Sequence, residues 1–556
     1  MKMKILAEKL RSVLLSRDFW LEIIAISPAI FFFLLFKTYA AAPCAGDENI
    51  YYYLGQRVSR GGLTPYSDFL FTHPPFHLAV ATLWTWIHPF TPLWGKLGSI
   101  FPSLLSIVFV YIALRKADFP RIASALGPLL LAFSYNWLSV STHFTGINWT
   151  TLMLVAGVTA LSVRRQTAGG ISLACATLTG FHVIPAVALV NLFAALRHRL
   201  KVWRLWLASA GSVLGVHLLC LALWGKEYFG PVFEYHLNKP SMARGGASAV
   251  NRFFWNEYHL TAMGIFGLLW CGVLLYRHKR ENKQSLSQNA YYLALYSFAI
   301  IAAQFLAVYA ISRVYTYYLQ PMLPFFAILS VYFLYFYGKL IRDAFKDMRK
   351  KKKRLSKLAA SGVVLLLLAG AFAYGENLES RIGYYSKEYG KTFDYPWRDS
   401  KHLPQVANAL VQGVFHTPER TIGRWYCSIT HYLWHEMRTE DPTPMLEKFI
   451  ERSKDKPGRI FGDNSSVPYI AMASGRLISQ EQDTNSMIFR SNLVPISGLI
   501  EKLSDDPPAW IIINPKRGIW GIKPFREWVG RYYKAVAEAK TGKKDKLILL
   551  EINSEQ

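Results

Sequence analysis

The stretch GDENIYYYLGQRVSRGGLTPYSDFLFTHPPFHLAV, residues 46–80, decides how this 556-residue chain is read. Asp47 and Glu48 stand just beyond a long apolar run, residues 19–40. Carboxylates are scarce there: residues 1–374 hold 13, and six of those lie in strongly basic connecting segments. Ionisable groups at membrane depth are costly and point to function. Residues 47–60 predict a helix stopped by Gly61-Gly62, with Tyr51 and Gly55 on the face of Asp47. Carboxylates in a first helical turn are also stabilised by the helix dipole, so Asp47 and Glu48 have a purely structural explanation as well. A second helix is expected from about Pro75 to Ile87. It carries His77, Trp84 and Trp86, with His88 just beyond, and at that length reads as interfacial rather than spanning.

Outward from this loop the chain is a series of apolar runs. They cover 19–40, 95–114, 122–140, 149–163, 203–224, 260–276, 289–311, 318–338 and 358–374, and 168–196 is long enough for two shorter crossings broken near Gly180 to Pro185. About 20 residues of helix span hydrocarbon, so about eleven spans are expected. No signal-peptide cleavage pattern is evident, and the first run is expected to stay as a helix in the membrane. With 52% apolar and 15% aromatic residues the chain is not disordered.

The net charge of +27 invites a nucleic-acid reading. Its placement argues otherwise. Segments 1–18, 115–121, 164–165, 197–204, 277–283 and 339–357 hold 28 basic and 6 acidic residues, a balance of +22. Every second connection is basic, as expected of cytoplasmic loops. The run from Lys346 to Lys357 anchors topology near anionic lipid, and no nucleic acid is expected as a partner. The N-terminus is then cytoplasmic, while the loop at 41–94 and everything from 375 onward lie on the outer side.

The chain divides into a membrane part, 1–374, and an outer soluble part, 375–556, with 26 basic and 23 acidic residues. In the latter, GRIFGDNSSVPY at 458–469 reads as strand, loop and helix start. AWIIINP at 509–515 and KLILLEI at 546–552 read as buried strands. The fold class expected is a polytopic α-helical membrane protein with a C-terminal extracytoplasmic α/β domain. No phosphate-cradling glycine loop accompanies the strands. The five cysteines show no zinc spacing; a Cys44–Cys427 bridge and five separate thiols are the two readings. His431 and His435 stand one helical turn apart without a third ligand pattern, so no metal site is expected.

The order Asp47-Glu48, Tyr51 to Tyr53, Gly62-Leu-Thr-Pro65-Tyr66, His73-Pro74-Pro75 resembles the first outer loop of lipid-dependent GT-C glycosyltransferases. Closest are the protein O-mannosyltransferases and the aminoarabinose lipid A transferases. SRVYTYYLQPMLPFFAIL at 312–329 is similar to that family's late outer turn and following span, and GDNSSVPYIAMASGR at 462–476 to the outer domain of some bacterial members. The resemblance implies Asp47 as general base on an acceptor hydroxyl and Glu48 as an orienting group. It implies a sugar on a polyprenyl phosphate as donor, a glycan, lipid or protein as acceptor, and direct inverting displacement at the anomeric carbon. Phosphate leaves without a proton, so one carboxylate suffices where glycosidases need two. The resemblance fixes no certain cofactor, and on this reading a divalent metal is not required. Cations would stabilise the departing phosphate. Arg57, Arg60 and Arg313 are candidates, then Arg244 and Arg252, with His73 as a possible donor to phosphate. Many relatives carry a second Asp in the next outer loop. Here STHFTGINWT at 141–150 has none, leaving His143 or Asn148 as substitutes.

A bacterial inner membrane is the expected location. The rival class is a transporter or lipid flippase, which would show internal repeats and charges near the middle of several spans; neither is seen.

Overall fold

The computed structural model describes residues 16–38, 46–140, 144–238, 249–251, 253–254, 257–281, 286–310, 316–349, 442–491, 493–540 and 546–553. Helices lie over every apolar run named above except 358–374, which falls outside the described residues. In chain order they are α1 (Arg17–Thr38), α2 (Glu48–Gly61), α3 (Pro75–Ile87), α4 (Pro92–Lys116), α5 (Arg121–Ala132), α6 (Ile147–Ser162), α7 (Gln166–Thr179), α8 (Ile184–His198), α9 (Trp203–Trp224), α10 (Tyr258–Glu281), α11 (Gln288–Ala310) and α12 (Leu323–Arg349). Among the described residues, four stretches are long and apolar enough to cross a membrane: Trp94–Lys116, Trp203–Trp224, Gln288–Tyr309 and Tyr317–Asp343. The others, such as Arg121–Ala132 and Ile147–Ser162, are apolar but shorter, so a count of eleven crossings does not follow.

Helix pairs in an apolar medium associate through close packing rather than water exclusion, which favours small residues at the contact. Here α10 lies against α12 so closely that a Cβ on Gly267 would sit 1.9 Å from the Leu329 carbonyl oxygen. The core of this half runs through Phe33, Trp137, Leu154, Leu173, Tyr296 and Phe326. Leu214, Leu218, Leu219 and Leu223 on α9 and Phe266 and Leu269 on α10 are exposed instead.

The C-terminal part begins, as described, with α13 (Thr443–Ser453). A four-stranded sheet follows: β1 (Ile460–Gly462), β2 (Trp510–Ile513), β3 (Tyr533–Lys540) and β4 (Lys546–Ile552), in the order β1-β2-β4-β3. β1 and β2 are parallel; β4 runs antiparallel to both of its neighbours. Helices α14 (Val467–Ser474), α15 (Ile496–Asp505) and α16 (Lys523–Tyr532) complete an α/β unit. The three strand expectations fall on β1, β2 and β4. β3, whose sequence YKAVAEAK lacks the apolar run of a buried strand, was not expected. Its exposed positions explain the weak signal, since it is the edge beside β4.

One continuous core joins this unit to the segment 46–94. Ile50, Tyr53, Phe71 and Leu78 belong to the same buried cluster as Ile460, Ile470, Ile512 and Leu549. The segment 46–94 is therefore a structural bridge between the two halves.

Candidate active site

The first loop folds as its sequence dictates. Helix α2 spans Glu48–Gly61 and ends on Gly62, whose left-handed backbone (φ 69°) lets its N–H donate back to the Arg57 carbonyl. Helix α3 starts at Pro75, where the missing N–H costs nothing. Leu83, Trp86 and Ile87 on α3 are exposed, the amphipathic pattern expected of an interfacial helix. α2 and α3 touch backbone to backbone. A Cβ on Gly55 would lie 2.7 Å from the Ala81 carbonyl carbon, which requires glycine there.

This packing separates the two adjacent carboxylates. Asp47, at the helix N-terminus, is exposed, and its Oδ1 accepts from Asn464 Nδ2 at 3.1 Å. Glu48 is buried. Its Oε1 accepts from Lys96 Nζ at 2.9 Å, with both side chains fully buried, and its Oε2 accepts from the Phe144 N–H at 3.0 Å. An ion pair taken out of water keeps its charges only with good geometry and added hydrogen bonds, and both are present. Glu48 thus ties the start of α2 to α4 and to the backbone at Phe144, just ahead of α6. Phe144 also stacks on Tyr52 with ring centroids 4.5 Å apart.

The C-terminal unit supplies the other wall. After β1 the buried Asp463 accepts from the N–H groups of Ser465 and Ser466, at 3.2 and 3.0 Å. Desolvation raises the pKa of its carboxyl, and the nearby Arg517 opposes this. The turn so formed aims Asn464 at Asp47 and places the Ser465 carbonyl 2.8 Å from Asn49 Nδ2. Lower in the seam, Tyr53 donates to Glu481 at 2.6 Å and accepts from the Ile478 N–H at 2.9 Å.

Asp483 brings a second carboxylate to the neighbourhood. Burial first, and then the charge of Asp47, push its pKa up to about 7, while the Asn485 N–H, donating at 2.9 Å, opposes the shift. Tyr51 feels both Asp47 and Asp483, and its hydroxyl lies 2.8 Å from His73 Nε2. His77 stacks edge-on against Tyr51 at 4.5 Å. It is buried, with neither ring nitrogen bonded among the described residues, and desolvation lowers its pKa to about 3. It is a neutral imidazole beside the site.

The expected residues fall into distinct places. Asp47 and His73 both lie near Tyr51. Arg57 pairs with Glu481 at 3.0 Å, and Arg60 donates to the Thr85 and Trp86 carbonyls at 3.1 and 3.2 Å. Both line a small cleft of about 140 Å³ in the seam, with Tyr53 and Arg476. Asn148 is buried and accepts from Gln320 Nε2 at 3.0 Å, pinning α6 to the 316–322 turn. His143, Arg244, Arg252 and Arg313 lie outside the described residues, as do Cys44, Cys427, His431 and His435. Among the described residues, no group of three or more His, Cys, Asp or Glu could hold a metal ion. Asn464 and Asp483 were not picked out for this role. The first carried a signal, the polar DNSS between a strand and a helix, but it read only as the loop joining them.

A half built of apolar helices, a carboxylate at a helix start and an α/β unit packed against it make up a fold that is shared with solved structures. ArnT from Cupriavidus metallidurans bound to undecaprenyl phosphate superposes with a TM-score of 0.59 at 14% identity, covering 97% of this chain and 99% of that one. The same protein in the apo state gives 0.59 at 14% identity, covering 96% and 98%. At this identity the likeness is one of fold. An oligosaccharyltransferase from Archaeoglobus fulgidus, at 0.44 and 12% identity, superposes too loosely to weigh. No family model and no curated protein sequence matches the chain.

Proposed function

We propose that this chain is an integral membrane glycosyltransferase that moves a sugar from a polyprenyl-phosphate donor to an acceptor hydroxyl at the outer membrane face. The observation that carries the reading is the pairing of neighbouring carboxylates with opposite fates. Glu48 is buried and neutralised by Lys96, whereas Asp47 is exposed and held in place by Asn464. The fold shared over nearly the full length with a protein bound to undecaprenyl phosphate supports a lipid-phosphate donor.

In this scheme Asp47 takes the proton from the acceptor hydroxyl as its oxygen attacks the anomeric carbon. The bond from that carbon to the phosphate oxygen breaks, and its electron pair leaves with the polyprenyl phosphate. Attack from the face opposite the leaving group inverts the anomeric centre. Asn464 fixes the carboxylate's orientation, and a positioned base of this kind contributes about 10²–10⁴ in rate. Charge on the departing phosphate calls for donors fixed in advance. His73, held by Tyr51, and Arg313 are placed in that role. Arg57 and Arg60, whose guanidinium groups engage Glu481 and backbone carbonyls, serve the reading as braces of the loop.

The test is transfer in proteoliposomes containing a polyprenyl-phosphate sugar, with separation of lipid products. The reading requires free polyprenyl phosphate and glycosylated acceptor in equal amounts, the new bond having the opposite anomeric configuration. Movement of intact donor across the bilayer without bond cleavage would replace it by the flippase reading.

A further inference from the structure

A second built site lies at the other end of the helices. Helix α7 runs from Gln166 to Thr179. Thr179 crowds Gly146 beside His77, at the candidate site, whereas Gln166 opens into a cavity of about 360 Å³. The two ends of this 14-residue helix stand about 21 Å apart. The cavity is lined by Arg164, Gln166, Thr167, Arg197, Lys201 and Arg204, with no carboxylate among these described residues.

Four cations converging on one cavity repel each other, and the local structure fixes two of them, Arg164 and Arg197. Arg164 sits in the left-handed region (φ 63°), its N–H closing on the Leu161 carbonyl at 3.0 Å to end α6. Glycine would occupy that position without strain, whereas arginine carries a backbone cost there. Arg197 is fixed from several sides: it donates to the carbonyls of Leu161 and Ser162 at 2.9 and 3.0 Å and to Asn289 at 2.8 Å, and it lies 4.5 Å over the Tyr292 ring. Tyr296 also interacts with this guanidinium. Helix α7 has no side-chain cap at its N-terminus; the Gln166 N–H donates to the Arg164 carbonyl at 3.1 Å, and the positive end of the helix dipole lies at Gln166 and Thr167 in the cavity wall.

An apolar ridge begins at the cavity's edge. Leu196, Trp203, Trp206 and Leu207 are 64%, 55%, 48% and 65% exposed. A soluble anion has no use for that surface, and a lipid tail does. We propose that the cavity binds the phosphate of an anionic membrane lipid, in the leaflet opposite the candidate active site, with its acyl chains along the ridge of α8 and α9. Fixed guanidinium groups are the donors such a phosphate takes, and the positive end of a helix dipole favours its charge.

The test uses the delipidated full chain in detergent. Phosphatidylglycerol, phosphatidylcholine and inorganic phosphate are titrated separately, with binding followed by native mass spectrometry and by thermal shift. Lys201→Gln/Arg204→Gln removes two exposed cations, and Trp206→Ala/Leu207→Ala removes part of the ridge. Melting of each variant without lipid reports its folding. Phosphatidylglycerol is expected to bind and stabilise the parent. Its affinity should fall about thirtyfold in the charge variant, as for the loss of two basic groups at an anionic surface, and also fall in the ridge variant. Phosphatidylcholine binding as tightly as phosphatidylglycerol, or parental affinity in the charge variant, would overturn the proposal. Inorganic phosphate binding as tightly as phosphatidylglycerol, with the ridge variant unaffected, would overturn the lipid assignment in favour of a soluble phosphate.

Discussion

Lys96→Met isolates what Glu48 does. Both side chains are fully buried and 2.9 Å apart, so the methionine leaves a desolvated carboxylate with the Phe144 N–H. Removing one member of a buried pair costs about 3–5 kcal/mol, because the remaining charge has lost its counter-ion. Glu48→Gln should be comparably severe, since it strands the ammonium. The double variant Lys96→Met/Glu48→Gln leaves no buried charge and should be milder than either single change. Thermal melting in detergent, read for all four proteins, gives the cycle, and sugar transfer measured in parallel reports the site. Both single variants should also lose transfer, because Glu48 anchors the start of α2, next to Asp47, to α4 and Phe144. Equal or additive losses in the double variant would refute the argument that Glu48 is a charged structural tie. So would a Lys96→Met protein as stable as the parent.

Other consequences follow from the same geometry. Gly55→Ala places its methyl against the Ala81 backbone, which no side-chain rotation relieves, and should cost about 1–3 kcal/mol in melting experiments. Gly61→Ala meets only the flexible end of Arg57 and should be far milder. Tyr53→Phe strips the seam of bonds to Glu481 and the Ile478 N–H and should cost about 1–3 kcal/mol, seen as faster proteolysis between the first loop and the C-terminal unit. Asp483 keeps its proton in the fold up to about pH 7, against an ordinary value of 3.8. The folded chain then binds more protons than the unfolded one between those values, so stability falls as pH rises through that window. Asp483→Asn should flatten this slope in melts taken from pH 5 to 8, and Asp47→Asn should move the transition to lower pH.

What the sequence disclosed was local. Helices α2 and α3 were legible because glycine and proline punctuate them, and β1, β2 and β4 because short isoleucine-rich runs have few alternatives. Asp47 stood out by its rarity. The partners that define its surroundings did not: Asn464 and Asp483 come from more than 400 residues away, and no periodicity reports which loop of a distant domain closes over a helix start. Arg57 and Arg60 show the converse. Their charge suggested phosphate, yet each is engaged by a carboxylate or carbonyl that only the tertiary structure brings near. Of the basic segments expected to be cytoplasmic loops, two bring Arg164, Arg197, Lys201 and Arg204 to one cavity, a convergence that a charge count does not report.

The central claim is that Asp47 is the base for sugar transfer. Single-turnover transfer from a polyprenyl-phosphate sugar by the parent and by Asp47→Asn, at matched folding and equal donor occupancy, tests it most directly. A loss of about 10²–10⁴ in the chemical step with donor binding retained is the predicted result. Transfer by the asparagine variant at the parental rate would contradict it.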